Sequence, residues 1–208
     1  MNNSIALLIF ALIPFLFMNC SYKKNENAVS NENILKETID TQSDTIIISR
    51  YSNGNIRSSS RFSEGKRFGT TNTFYSNGNL KNSFFFNHKG ELIYKADYVE
   101  DGSYLKSEGN PIYVNFNPKR DSLKVEKEFE LIIMAPKLPF GDTNIILGVE
   151  EGSEVKEVHR QKMENYGLLL QYSLSKEGKQ NIPVIIEIEH DANTIQIDTS
   201  FIEVFVSG

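Results

Sequence analysis

The chain has 208 residues, 39% hydrophobic and 24% charged, with one cysteine and no tryptophan. A single cysteine excludes an intrachain disulfide framework and a cysteine-rich zinc site. The 22 Lys and Arg against 27 Asp and Glu leave a net charge of −5 and a pI near 5.3, which argues against general nucleic-acid binding, because that needs a basic face to displace counterions. The length allows one or two domains and a core that needs no covalent staple.

The mean hydropathy of −0.34 conceals an uneven chain. Residues 5–18 (IALLIFALIPFLFM) carry no charge and one breaker, Pro14. Such a run is short of the roughly 20 residues that span a bilayer and has the length of a signal-peptide core. Asn19 and then Cys20 follow at once, and the sequence turns polar immediately after them. This arrangement resembles a bacterial lipoprotein signal peptide. It departs from the usual pattern in having Phe17, Met18 and Asn19 before the cysteine and no Lys or Arg in Met1–Ser4. The resemblance implies removal of residues 1–19 and acylation of Cys20, whose covalent lipid would hold the protein in a bilayer. Two or more acyl chains give stable anchoring at about 0.8 kcal/mol per buried CH₂. A plain signal peptide, a retained N-terminal helix and a free buried cysteine are the alternatives.

Residues 20–44 are polar and read as the acylated cysteine followed by a flexible tether, with a helical turn a candidate at residues 33–39. From residue 45 an internal repeat begins. Residues 50–57 (RYSNGNIR) recur 24 positions later as residues 74–81 (FYSNGNLK). Glycines at 54, 65, 78, 90 and 102 are each preceded by an aromatic residue at Tyr51, Phe62, Tyr75, Phe86 and Tyr98. Asn53-Gly54, Asn77-Gly78 and Asp101-Gly102 are hairpin signals of type I′, which requires φ > 0 at both central positions. Between turns, Leu80, Asn82, Phe84 and Phe86 alternate onto one face, and so do Leu92, Tyr94, Ala96 and Tyr98. A turn every dozen residues with period-2 strands between predicts an antiparallel meander over residues 45–107.

These residues resemble the bacterial variant of the MORN repeat, built on a Tyr-x-Asn-Gly-x-Leu-Lys core. Tyr51–Arg57 and Tyr75–Lys81 match that core. Phe62–Gly69 matches the intervening aromatic-x-x-Gly-Lys-x-x-Gly element, and a copy from Phe86 is degenerate with one extra residue before Gly90. The resemblance implies a binding or scaffold role without catalysis; some bacterial members carry an antitoxin-like label. The candidate contact surface is Tyr51, Arg57, Lys66, Arg67, Tyr75 and Lys81, as a patch for lipid headgroups or an acidic envelope protein. The competing reading of these cations, with Arg50 and Arg61, is a solvated strand face.

Over residues 108–208, the segments 111–116, 123–135, 144–149, 167–175, 182–190 and 195–206 are rich in Ile, Val and Phe and bounded by turn residues. They predict an immunoglobulin-like β-sandwich without the paired cysteines of antibody domains. Residues 154–165 are ambiguous between helix and strand. The whole chain is therefore expected to be all-β.

The residues point to no catalytic constellation and no cofactor besides the lipid on Cys20. His88, His159 and His190 stand in no metal-ligand spacing. Glu187, Glu189 and Asp191 could hold Ca²⁺, but their alternation with Ile186, Ile188 and His190 reads as the outer face of a half-buried strand, with His190 structural. Glu150, Glu151, Glu154 and Glu157 read as a solvated loop or short helix. The expected function is a non-catalytic binding module at the cell envelope, with the outer membrane the expected site. An envelope hydrolase or carbohydrate-active protein with paired carboxylates, and an antitoxin-like inhibitor, are the rivals.

Overall fold

A computed structural model describes residues 35–40, 44–151, 154–163, 167–174 and 176–208, and in it the chain is all-β. Cys20 and the apolar run before it lie outside the described residues.

The first eight strands are β1 (Leu35–Asp40), β2 (Asp44–Arg50), β3 (Ile56–Ser63), β4 (Lys66–Arg67), β5 (Gly69–Phe74), β6 (Leu80–Phe86), β7 (Leu92–Tyr98) and β8 (Tyr104–Gly109). They form one antiparallel meander in the order β1-β2-β3-β5-β6-β7-β8, with the short β4 hooked onto β3. The sheet starts ten residues before the boundary that composition suggests. The segment LKETID, expected to be tether with a possible helical turn, is instead a strand that sets Ile39 against Ile46 and Glu37 against Ile48. An ion pair between Glu37 and Arg50 at 2.9 Å closes that edge.

The five turn glycines all adopt left-handed φ, but among the described residues the expected type I′ geometry appears in only one place. At Tyr51–Asn55, Gly54 N–H donates to Tyr51 O at 2.9 Å and Tyr51 N–H to Asn55 O at 2.8 Å. The glycine is therefore the fourth residue of the turn, and among the described residues only Glu64 and Glu126 besides glycines have left-handed φ. Tyr75, Asn87 and Val99 open turns of the same pattern. The turn at Gly90 is no longer than the others, since Asn87 takes the place of Tyr51 and Tyr75 and Phe86 ends the strand. Type I′ geometry occurs at Glu64-Gly65, where φ is +50° and +77°.

After each four-residue turn the outgoing strand carries one extra residue, at positions 57, 81, 93 and 105. Such bulges flip the inward parity of a strand. That overturns the alternation expected in β6: Leu80, Ser83 and Phe85 are buried together, while Asn82 and Phe84 are half-buried on the opposite face. Tyr94, Ala96 and Tyr98 are buried as expected, but Leu92 precedes the bulge and is exposed.

The remaining strands are β9 (Tyr113–Asn117), β10 (Phe129–Met134), β11 (Thr143–Glu151), β12 (Glu154–Lys162), β13 (Gly167–Tyr172), β14 (Gly178–Asp191) and β15 (Thr194–Val206), with one 3₁₀ turn at Arg120–Ser122. They pair as β13-β10-β9 and β12-β11-β14-β15, a seven-strand sandwich. Numbered within the sandwich, strands one, two and five make one sheet and three, four, six and seven the other. Compared with a constant-type immunoglobulin domain, the fourth strand has moved to the edge of the second sheet. Of the ambiguous segment, Glu154–Lys162 is strand because it pairs with β11 from Asn144 to Glu151, and residues 164–165 lie outside the described residues. The core is continuous from Leu80, Phe85 and Tyr94 of the meander to Leu131, Ile133, Ile186 and Ile188 of the sandwich.

Candidate functional site

The repeat builds a ladder along one end of the meander. Tyr51 Oη donates to Phe74 O at 2.6 Å, and Tyr75 Oη to Tyr98 O at 2.9 Å. Asn53 and Asn55 both donate through Nδ2 to Ser76 O at 2.8 Å, and Asn77 and Asn79 both to Glu100 O at 2.9 Å. Each Tyr-x-Asn-Gly-Asn turn thus binds the main chain of the equivalent turn two strands on. This explains the identity of the motif: tyrosine reaches the carbonyl, the two asparagines share the next one, and glycine supplies the left-handed φ.

The cations sit on the same tyrosines. Arg57 Cζ lies 5.8 Å from the Tyr51 ring centroid, and Lys81 Nζ 5.4 Å from that of Tyr75, within the range of cation–π attraction. Arg57 and Lys81 are both the extra residue of a bulge, so the bulge is what turns each cation onto its ring. Lys66 and Arg67 belong to the opposite turn end of the sheet, where Arg67 stacks over Phe86 at 5.7 Å and Lys66 abuts Gly90. The six candidate contact residues therefore form two groups, roughly one strand length or about 25 Å apart for eight residues. Arg50 and Arg61 are paired with Glu37 and Asp44.

The tyrosine bonds are internal supports of the ladder. Tyr75→Phe is expected to lower stability by about 1 kcal/mol, because one part-buried carbonyl loses its donor, while leaving the ring under Lys81. The check is the shift in urea midpoint at unchanged slope.

A second constellation was not assembled by sequence reasoning. His190, with no exposed surface, lies where the meander meets the sandwich. Its Nδ1 is 2.7 Å from Tyr98 Oη, and its Nε2 is 2.8 Å from Gln196 Oε1 and 3.3 Å from Tyr94 Oη. Gln196 Oε1 also accepts from Tyr94 Oη at 2.7 Å and Ser107 Oγ at 3.0 Å, while its amide nitrogen is bound to Asp198. An oxygen at Nε2 requires a proton there, so the arrangement fits neutral imidazole accepting at Nδ1 from Tyr98. Tyr104 stacks on the imidazole with centroids 4.1 Å apart, and its N–H donates to Asp191 at 2.9 Å. Burial pushes the Tyr94 and Tyr98 hydroxyls well above their ordinary pKa and holds His190 below its own. The backbone N–H groups of Tyr104 and Asn193 hold Asp191 below the usual carboxylate range. The signal for this cluster was the period-2 run Ile186, Ile188, His190 facing the same way; the partners Tyr98 and Tyr94, 92 and 96 residues away in sequence, were not legible.

The acidic candidates are placed as a half-buried strand would place them. Ile186 and Ile188 are buried, and Glu187 and Glu189 face the other side, where Glu187 binds Arg160 at 2.6 Å and Glu189 accepts from Asp142 N–H. Glu150, Glu151, Glu154 and Glu157 lie on β11 and β12 rather than in a loop or helix. His88 contacts Tyr113 across the two units, and His159 is on β12 beside Gln161. Among the described residues no group of three His, Cys, Asp or Glu side chains converges. Two concavities of about 330 and 370 Å³ open beside β15, one lined by Ile112, Val114, Phe116 and Ile202, the other by Asp121 and Glu203, with Arg120 common to both. No protein-family model matches the chain, and neither a curated protein nor a solved structure matches it significantly.

Proposed function

We propose that this chain is a lipid-anchored protein of the cell envelope that presents a MORN-like meander as a non-catalytic binding surface. The anchor is Cys20, directly behind an apolar segment of export length. The observation that carries the binding half is the repeated cation on a tyrosine ring, Arg57 on Tyr51 and Lys81 on Tyr75. The polar groups of that ladder are hydrogen-bonded to one another, so what it offers a partner is positive charge and aromatic faces at fixed spacing. Equivalent positions are two strands apart, about 9.6 Å, which suits an acidic partner with a repeating anionic surface.

The two halves are tested separately. Cys20→Ala is expected to abolish labelling with radioactive palmitate and to move the protein from the membrane pellet to the soluble fraction; unchanged labelling and sedimentation would remove Cys20 as the anchor. For binding, crosslinking in intact cells is compared between the parent and an Arg57→Glu/Lys81→Glu variant. Loss of the captured species at unchanged melting temperature supports the reading, and equal capture overturns it.

A further inference from the structure

Sheet edges are where a β-protein is most open to association, because a row of main-chain N–H and C=O groups goes unpaired there. The two edges of the four-stranded sheet are treated in opposite ways. β12 carries Glu157, His159, Arg160 and Lys162. Arg160 is held between Glu157 and Glu187, and Lys162 sits on Asp142 at 2.7 Å. Charge of that density discourages an added strand.

β15 has no such guard. It is 13 residues long, and among the described residues it pairs only with β14, apart from a parallel bridge between Lys124 and Ser207 just past its end. Its outward face carries Ile195, Ile197, Phe201 and Phe205, exposed by 64, 63, 51 and 66%. The one acid on that face, Glu203, is neutralised by Lys179 at 2.5 Å. From Glu203 onward the edge is flanked by residues 119–125. The stretch with no strand or bridge beside it among the described residues is Thr194–Ile202, of which Ser200 and Ile202 share an open concavity with Arg120.

We infer that this stretch is a self-association surface, on which two copies of the chain pair β15 antiparallel across a two-fold axis through Thr199, fusing two four-stranded sheets into one of eight strands. In that register Thr199 faces its own copy, Ile197 faces Phe201, and Asp198 faces Ser200. Thr–Thr and aromatic–β-branched pairs are among the favourable cross-strand combinations, and a serine hydroxyl can donate to the carboxylate. Neighbouring registers are worse. An axis at Asp198 sets two carboxylates against each other. An axis at Ser200 leaves only Asp198–Ile202 to pair before residues 119–125 intervene, against Gln196–Ile202 for the axis at Thr199. The contact is isologous and closes on itself, so it yields a dimer and not a fibre. This self-complementarity is what selects a second copy over a foreign strand. The inference is independent of the anchor and of the Arg57 and Lys81 surface.

The test uses the full chain carrying Cys20→Ser, so that any added thiol is the only one. Sedimentation velocity is expected to show a dimer that Thr199→Lys, with two like charges on the axis, converts to monomer. Directly opposed residues have Cα atoms about 4.5–5.5 Å apart, within disulfide reach. Thr199→Cys is therefore expected to form a covalent dimer in high yield under mild oxidation, and Ile195→Cys, which faces Glu203 of the copy, to form little. A parent that sediments as monomer at every concentration overturns the inference. So does equal crosslinking of the two cysteine variants, which would mean association without this register.

Discussion

Gly109→Ala is expected to destabilise the protein by about 2–4 kcal/mol, measured as a loss of denaturation midpoint. Gly109 ends β8 at φ +91° and lies opposite Tyr94 in register. A Cβ at this position would stand 2.2 Å from Ile93 O and 3.1 Å from Tyr94 Cα, which are backbone atoms that cannot swing aside. Ile93 is the extra residue of the β7 bulge, and its carbonyl also accepts from Asn110 N–H at 2.8 Å as the chain leaves for the sandwich. The alanine would have to displace the bulge, the exit hydrogen bond or both. Gly54→Ala is the control: it too sits at left-handed φ, but nothing lies within 4 Å of its added Cβ. It should lose only the conformational part, about 1–2 kcal/mol. Equal losses at the two sites would mean that the close approach at Gly109 relaxes without cost.

These positions also mark where the sequence is readable. Turn glycines, strand periodicity and the change of character after Gly109 sufficed to predict an all-β chain with a meander followed by a sandwich, because each is a local signal. The type of turn was misread because Asn-Gly fits two geometries, and only the hydrogen bond from Gly54 N–H to Tyr51 O distinguishes them. Parity in β6 was misread because a bulge looks in sequence like any other residue; Lys81 and Ile93 differ from their neighbours only in having no partner across the ladder. β1 was missed because its composition is that of a tether, and it is a strand only through its pairing with β2. At the candidate surface, sequence reasoning found Tyr51, Arg57, Tyr75 and Lys81 through the repeat. It grouped them with Lys66 and Arg67, which follow the intervening turn, although successive turns of an antiparallel meander fall at opposite ends of the sheet.

His190 is expected to make stability depend on pH below neutrality. Its imidazole is buried and neutral, with burial holding its pKa below the ordinary value even though Asp191 and Asp198 nearby favour the charged form. The unfolded chain binds a proton near pH 6.5, and the folded chain resists doing so. The stability contributed by this group is therefore fully present above about pH 6.5 and is lost as pH falls from there toward the depressed folded value. A proton on Nδ1 would also end the donation from Tyr98 Oη at 2.7 Å. Asp191, whose carboxyl is held low by backbone N–H donors, loses its contribution only as pH falls through the lower range below about 3.9. The two windows are separable. His190→Leu keeps the volume but leaves Tyr98 Oη without its acceptor, while Gln196 keeps Tyr94, Ser107 and Asp198, so a loss of about 1–3 kcal/mol is expected at pH 7.5. The variant should lose the decline that begins below about pH 6.5 and keep the one that begins below about pH 3.9. Tyr98→Phe should destabilise jointly with it by less than the sum of the two single losses, because both remove the same contact. Denaturant midpoints from about pH 2.5 to 8 for the parent and the three variants decide the matter. If the parent's stability is flat between pH 7 and 5, or if the double variant is additive, then His190 is a passive core residue of the contact between meander and sandwich.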